Sequence, residues 1–300
     1  MYDVIIIGAG PAGLTAAIYA RRAAKSVLVL EAKSYGGQII NTPEIENYPA
    51  APHISGFDFA TRIYDQARAL GAEIKFEKAV SVEDGEEKKV TTKKNVYTAR
   101  ALIIATGSEN RKLGLENEDS LVGRGVSYCA TCDGSFYKGK TVAVIGGGNT
   151  ALEDALYLAD LAEKVYLIHR RDGFRGEEAT AERLRARGNV EFILNANVTR
   201  LIADKRLEAV EVTDKISGEK RVVAVNGAFI AVGRIPENQN FASILKLDEA
   251  GYFPAGEDCR TELPGIFVAG DNRAKAVRQL VTAAADGAAA ATAAVNYLNA

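Results

Sequence analysis

Cysteine is scarce in this chain of 300 residues: there are three, too few for the disulfide framework of a small secreted domain. Histidine is scarcer, with two. A zinc site would have to draw on one Cys-x-x-Cys pair, the distant Cys259, and His53 or His169, which is a poor set for four ligands. A basic surplus is also missing. The 37 lysines and arginines face 39 aspartates and glutamates, a net charge of −2, so nothing supplies the phosphate contacts of a nucleic-acid binder. Long apolar runs are absent: Val4–Ile7 falls far short of the roughly 20 residues of a membrane span. That same run leads straight into a glycine turn, which does not fit a signal peptide. The expectation is a water-soluble, cytoplasmic chain with neither membrane nor nucleic acid as partner. With 47% apolar residues and about 150 residues per domain as the norm, two domains with real cores are predicted.

An internal repeat is present. Displaced by 138 residues, Val4-Ile5-Ile6-Ile7-Gly8 falls on Val142-Ala143-Val144-Ile145-Gly146, and the register continues without a gap. Gly10 meets Gly148, Gly13 meets Ala151, Tyr19 meets Tyr157 and Val27 meets Val165. Each copy reads as buried strand, glycine turn, helix and second apolar strand (Ser26–Leu30 and Lys164–Ile168). Two copies of one βαβ unit predict an α/β fold with two Rossmann-like dinucleotide-binding domains. A loop with Gly36, Gly37, Pro43, Pro49 and Pro52 follows the first unit, then a helix near Phe57–Leu70 and short strands ending at Ala101–Ala105. Strand-like runs recur at Val190–Ile193, Arg206–Thr213, Arg221–Val225 and Ala228–Val232. An apolar strand at Gly265–Ala269 and an alanine-rich helix near Ala276–Leu298 close the chain. Because the second copy is complete in itself, the predicted domains are 1–114 with 244–300, and an inserted 115–243.

Gly8, Gly10 and Gly13, spaced by Ala9 and by Pro11-Ala12, follow a strand and open a helix. Such a turn lets backbone approach a pyrophosphate and puts the positive end of the helix beside it. Glu31 ends the second strand 23 residues past Gly8, where a carboxylate accepts from ribose hydroxyls. In the second copy, Gly146, Gly148, Asn149, Thr150 and Ala151 form the turn, and the position of Glu31 is taken by His169, followed by Arg170, Arg171 and Arg175. A cationic cluster there suits a 2′-phosphate. The first site therefore reads as an unphosphorylated dinucleotide and the second as NADP(H). FAD with NADPH is the economical pair.

The string Cys129-Ala130-Thr131-Cys132-Asp133-Gly134 puts its second cysteine 14 residues before Gly146. Two intervening residues put the sulfurs at the start of one helical turn, within disulfide reach, where amides lower a thiol pKa. Asp133 can move protons as thiols form and leave. The competing readings are a zinc site and two structural thiols. Cys259 reads as a small apolar filler.

With these strings in view, the chain resembles low-molecular-weight thioredoxin reductase, within the class II pyridine nucleotide-disulfide oxidoreductases. The match covers essentially the whole length. It is carried by Gly8–Gly13, Gly36-Gly37-Gln38, Glu46-Asn47-Tyr48-Pro49, Ala105-Thr106-Gly107, Cys129–Gly134, Gly146–Ala151, His169–Arg175, Gly270-Asp271 and Arg278-Gln279. The resemblance implies that Gly37, Gln38, Asn47, Thr106, Gly107, Gly270, Asp271, Arg278 and Gln279 join the first turn and Glu31 around FAD. Asn149, Thr150, His169, Arg170, Arg171 and Arg175 would hold NADPH. By the same resemblance Cys132 faces the flavin, Cys129 attacks thioredoxin, and Asp133 is the general acid. A homodimer, a domain rotation hinged near Lys112–Asn117 and Gln239–Leu245, and a part in removal of superoxide radicals are further implications. Ala50, Asn149 and Asn272 depart from the family's usual glycine, aspartate and apolar residue. Rival readings are a reductase of another thioredoxin-like or peroxiredoxin-linked disulfide protein, a ferredoxin–NADP reductase of the same fold, and a non-catalytic redox sensor. The flavoprotein partner of a peroxiredoxin carries an additional thioredoxin-like region before its first strand, and the ferredoxin–NADP reductase lacks the Cys-x-x-Cys.

Overall fold

The computed structural model describes residues 1–42 and 44–300; Pro43, counted in the loop above, lies outside the described residues. The chain starts with β1 (Tyr2–Ile7), α1 (Pro11–Arg22) and β2 (Val27–Leu30). After a loop it forms α2 (Gly56–Ala69), β3 (Glu73–Lys75), β4 (Ala79–Glu83), β5 (Lys88–Thr92), β6 (Val96–Ile104) and the short β7 (Ser108–Asn110). A second series then runs α3 (Glu118–Leu121), β8 (Val126–Ser127), α4 (Ala130–Asp133), β9 (Thr141–Gly146), α5 (Asn149–Ala159), β10 (Lys164–Ile168), α6 (Glu178–Arg185) and β11 (Val190–Ile193). The meander β12 (Ala196–Ala203), β13 (Leu207–Asp214) and β14 (Lys220–Ala224) precedes β15 (Gly227–Ala231). The chain returns through β16 (Arg234–Pro236) to β17 (Ile266–Val268) and α7 (Leu280–Asn299).

Two compact units result: Met1–Glu109 with Ile235–Ala300, and Asn110–Arg234. In the first, β3-β2-β1-β6 run parallel, β17 adds parallel to the C-terminal half of β6, and β5 and β4 continue antiparallel from its other half. The second has an all-parallel sheet in the order β11-β10-β9-β15-β8, with the antiparallel β12-β13-β14 beside it. The central strands are apolar and buried over Val4–Ile7 of β1 and Val142–Ile145 of β9 because both faces are covered there. In the first unit α1 and α7 pack closely through small side chains. A Cβ on Gly287 of α7 would lie 2.1 Å from the Ala12 carbonyl oxygen.

The sequence pattern located most elements but passed over β12, whose buried Ala196, Val198 and Leu201 alternate with polar residues. The final helix begins at Leu280, after Gln279 caps it, and not near Ala276. The expected hinges are displaced as well. Phe241 and Leu245, within the proposed Gln239–Leu245 segment, are buried in the core of the first unit. Leu113 and Leu115, within Lys112–Asn117, pack on the core of the second. The crossings lie at Glu109–Asn110 and Arg234–Ile235, where β7 and β16 pair as a two-stranded ribbon. Ala50, in the usual glycine position, adopts a left-handed φ of 64°, the conformation that favours glycine there.

Gly287→Val inserts side-chain volume where α7 meets α1. We expect it to lower stability by about 1–3 kcal/mol, read as a lower Tm on thermal unfolding; an unchanged Tm would show that this helix contact carries no constraint.

Candidate active site

The parallel strands of the first unit all end at one edge. Gly8 N donates to Leu30 O, Ala105 N to Ile7 O and Ala269 N to Ile104 O, so the glycine turn, Glu31, Thr106-Gly107 and Gly270-Asp271 follow adjacent strand ends. This carboxyl edge is where open α/β sheets bind ligands. Gly8 has φ +110°, and a Cβ on Gly13 would sit 1.9 Å from Gly8 O, so the turn admits no side chain at either position. Gly10 differs: a Cβ there would meet nothing nearer than Gly37 Cα at 3.9 Å. The middle of the turn is thus open backbone beside Gly37. Glu31 accepts from Ala9 N (2.7 Å) and Lys33 N (2.8 Å), which locks it against the turn. Asn47 donates to Gln279 Oε1 at 3.2 Å, joining the loop after β2 to the α7 cap. Gln38 is exposed and has no hydrogen bond to the others among the described residues.

Two buried polar networks hold this edge, and neither was legible in the sequence. Asn272, fully buried, donates to Ile104 O (2.9 Å) and Thr106 Oγ1 (3.2 Å). Asn238, equally buried, donates to the carbonyl oxygens of Asn272 (2.7 Å) and Gly251 (2.9 Å). The departure at Asn272 thereby ties the β6 turn to the β17 turn. Asp286 of α7 accepts from Gly270 N (2.9 Å), from Arg273 through two nitrogens (2.8 Å each) and from Lys275 (3.0 Å). Arg273 and Lys275 hold its carboxyl below the usual range against the cost of burial. Arg278 lies over the Tyr252 ring at 4.3 Å, and its buried Nε has no partner among the described residues. Cys259 is fully buried, with its thiol toward Asp286 O at 3.5 Å; burial pushes its pKa up to about 12. It is a packed, unreactive thiol, as its reading as a filler requires.

The second unit repeats the turn with a different neighbour. Gly148 has open space where a Cβ would project, whereas a Cβ on Gly147 would lie 2.2 Å from His169 Cε1. His169 therefore seals one side of the turn. It is 5% exposed, and burial with Arg170, Arg171 and Arg175 lowers its pKa, so the ring is neutral near pH 7. The three arginines around it are exposed. Arg175 N and Gly176 N both donate to Gly147 O (2.7 and 3.2 Å), folding the arginine loop back onto the glycine turn. Asn149 caps the following segment by accepting from Glu177 N at 2.8 Å, while Thr150 is exposed beside it. Ala151 packs into the core, so the second copy fits a methyl where the first needs glycine.

Cys129 and Cys132 form a disulfide, with Cα atoms 5.3 Å apart. Cys129 stands at the N-cap of the one-turn α4, and Asp133 N donates to Cys129 O at 3.1 Å. The strand β8 delivers Ser127 into this turn. Its hydroxyl donates to Asp133 Oδ2 at 2.6 Å and accepts from Cys129 N at 3.1 Å. Burial raises the Asp133 pKa despite that hydrogen bond. The arrangement joins a cysteine pair to a carboxyl poised to carry a proton. Ser127 was missed because a serine two residues before a cysteine carries no signal of its own until β8 is seen to bury it.

The open backbone at Gly10 and Gly148, the unpartnered buried Arg278 Nε and the exposed arginines fit two dinucleotides. The family described as pyridine nucleotide-disulphide oxidoreductase matches residues 2–287. Thioredoxin reductase of Listeria innocua is 46% identical over 300 residues, covering 99% of this chain and 94% of that protein. A crystal structure of thioredoxin reductase from Streptococcus pyogenes aligns with a TM-score of 0.95 at 39% identity, covering 100% of this chain and 98% of its own. Thioredoxin reductase of Lactococcus lactis in an FR conformation aligns at 0.69 with 38% identity, covering 100% and 99%.

Asp154 of α5 gives a pH test of this helix. Burial pushes its carboxyl up to about 7, against the pull of Arg234. The folded chain keeps this proton to about pH 7, whereas the unfolded chain loses it near pH 4. The stability linked to it is full below about pH 4 and is lost as pH rises through about 7. Asp154→Asn is expected to raise Tm more at pH 8 than at pH 5. Equal increments at both would contradict this.

Proposed function

The chain belongs to the pyridine nucleotide-disulphide oxidoreductase family, and we propose that it reduces the disulfide of thioredoxin with electrons from NADPH. The observation that carries this reading is the bonded Cys129–Cys132 pair, which shares one compact unit with the His169–Arg175 loop. FAD and NADPH are the family's cofactors. FAD, when bound, takes a hydride from NADPH and passes two electrons to a disulfide.

In the first unit Gly8, Gly10, Pro11, Ala12, Gly13 and Glu31 would hold the FAD pyrophosphate and ribose. Gly37, Gln38, Asn47, Thr106, Gly107, Gly270, Asp271, Arg278 and Gln279 would complete that site. Gly146, Gly148, Asn149, Thr150 and Ala151 would take the pyrophosphate of NADPH, and His169, Arg170, Arg171 and Arg175 its 2′-phosphate. Neutral His169 packs against the turn and leaves the charge to the arginines.

The chain's own sulfur chemistry follows. In the reduced pair, the Cys129 thiolate attacks one sulfur of thioredoxin's disulfide, forming a mixed disulfide and releasing the other sulfur as a thiolate that takes a proton. Cys132 then attacks Cys129 Sγ, which re-forms the internal disulfide and expels the second thioredoxin thiolate. One disulfide forms for each one broken. Asp133, whose hold on a proton burial strengthens and which Ser127 orients, supplies the proton to a leaving thiolate.

NADPH and the cysteine pair are both assigned to the inserted unit, so each must reach the flavin in turn. A rotation about the β7–β16 crossings serves this need. The FR conformation described for the Lactococcus lactis protein supports such motion in the family. The same kinship supports a homodimer in the cytoplasm and a contribution to removal of superoxide radicals. Among the described residues no helix is long and apolar enough to cross a membrane.

NADPH is expected to drive thioredoxin reduction much faster than NADH in a steady-state comparison. Equal rates would overturn the role given to His169–Arg175. In Cys132→Ser, NADPH still bleaches the flavin absorbance while thioredoxin turnover is lost; retained turnover would refute the assigned route. Arg170→Ala is expected to weaken NADPH relative to NADH by about 1.5–3 kcal/mol, seen in the ratio of their kcat/KM values.

A further inference from the structure

The arginine loop is held from a direction its own sequence does not reveal. His169 N donates to Ile193 O (2.9 Å), and Ala196 N donates back to His169 O (3.0 Å). Asn195, between them, takes a left-handed φ of 52° and donates its N–H to Arg171 O at 3.1 Å. Its own carbonyl accepts from Lys215 N at 2.7 Å. Lys215 opens the turn between β13 and β14, and its ammonium reaches across to Arg170 O at 3.1 Å. The hairpin tip is rigid enough to do this. Asp214 Oδ1 accepts from Ile216 N and Ser217 N at 2.8 Å each, and Gly218 N donates to Asp214 O at 3.0 Å. Those amides hold the Asp214 carboxyl below its usual range, so its charge is turned into its own turn.

We propose that Lys215 is a positioning residue for the 2′-phosphate of NADPH. It pins the Arg170–Arg171 backbone from the antiparallel sheet and brings a fourth cation to the turn. This rests on the reading of His169–Arg175 as the 2′-phosphate site. The physical need is plain. Three exposed arginines repel one another, and each gives up rotamer freedom when it settles on a ligand. A backbone already fixed at Gly147 on one side and at Asn195 and Lys215 on the other leaves only side-chain motion to be lost. The group that meets the Lys215 ammonium is the Arg170 carbonyl, inside the arginine run itself.

The test is equilibrium binding by isothermal titration calorimetry, with 2′,5′-ADP and 5′-AMP as probes, on the FAD-loaded protein at low salt. Lys215 is exposed, so its variants are expected to fold. Lys215→Met is expected to weaken 2′,5′-ADP about three- to five-fold, the scale of an exposed charged contact, with 5′-AMP unchanged. Lys215→Arg should restore 2′,5′-ADP to within about two-fold of the parent. The proposal is overturned if Lys215→Met binds 2′,5′-ADP as the parent does, if both probes weaken alike, or if Lys215→Arg gives no rescue. A parent protein that does not prefer 2′,5′-ADP to 5′-AMP would instead overturn the 2′-phosphate site itself, and this proposal with it.

Discussion

The close approach of α1 to the end of β1 sets the terms for the rest of the first unit. Nothing larger than hydrogen fits at Gly13, because the Gly8 carbonyl oxygen occupies the space a Cβ would need. That contact places the first free amides of the helix directly above the carboxyl edge of the sheet. Only there can three other strand ends contribute Glu31, Thr106 and Asp271 to the same surface. The second unit reaches the same geometry with a looser fit, with Ala151 in place of the third glycine. It also exchanges an acid for a histidine at the tip of the second strand. One scaffold thus presents two faces of opposite charge preference, and the difference lies in a few side chains at strand ends.

Much of this was legible from the sequence because it is encoded locally. A buried strand followed by glycines and a helix announces itself by residue type and spacing, and the 138-residue repeat made the reading twice as secure. The cysteine pair, its acid and the arginine run are likewise contiguous strings. Asn238, Asn272, Arg273 and Asp286 were not legible as a supporting frame, because each acts through partners in other elements of the chain. Asn238 finds Asn272 across 34 residues, and Asn272 finds Ile104 across 168. The hinge positions failed for a related reason. The domain rotation implied by the resemblance put one hinge near Gln239–Leu245, but Phe241 and Leu245 are core side chains, and burial decides which segments can move. β12 escaped notice because its outward residues are polar enough to resemble a loop.

The buried polar frame also explains how a binding edge can be both open and stiff. Asp286 meets Gly270, Arg273 and Lys275 at once, so the β17 turn is fixed without any side chain entering the space beside Gly10. Buried acids left unpaired are costly, and here two cations and an amide share one carboxylate. Between the β6 and β17 turns, Asn272 and Asn238 use neutral amides for the same purpose. Rigidity is thereby supplied from behind, and the ligand-facing surface is left to backbone and a few polar groups.

Cys259 has a consequence for the protein's endurance. A catalyst that makes and breaks sulfur–sulfur bonds at every turnover is exposed to its own chemistry: any spare thiolate nearby could be captured by a reactive disulfide and stall the cycle. With its proton retained to about pH 12 and no solvent access, this third sulfur is invisible to exchange. The chain can therefore be oxidised and reduced repeatedly without scrambling, and titration of the native molecule with a thiol reagent counts only the pair that works.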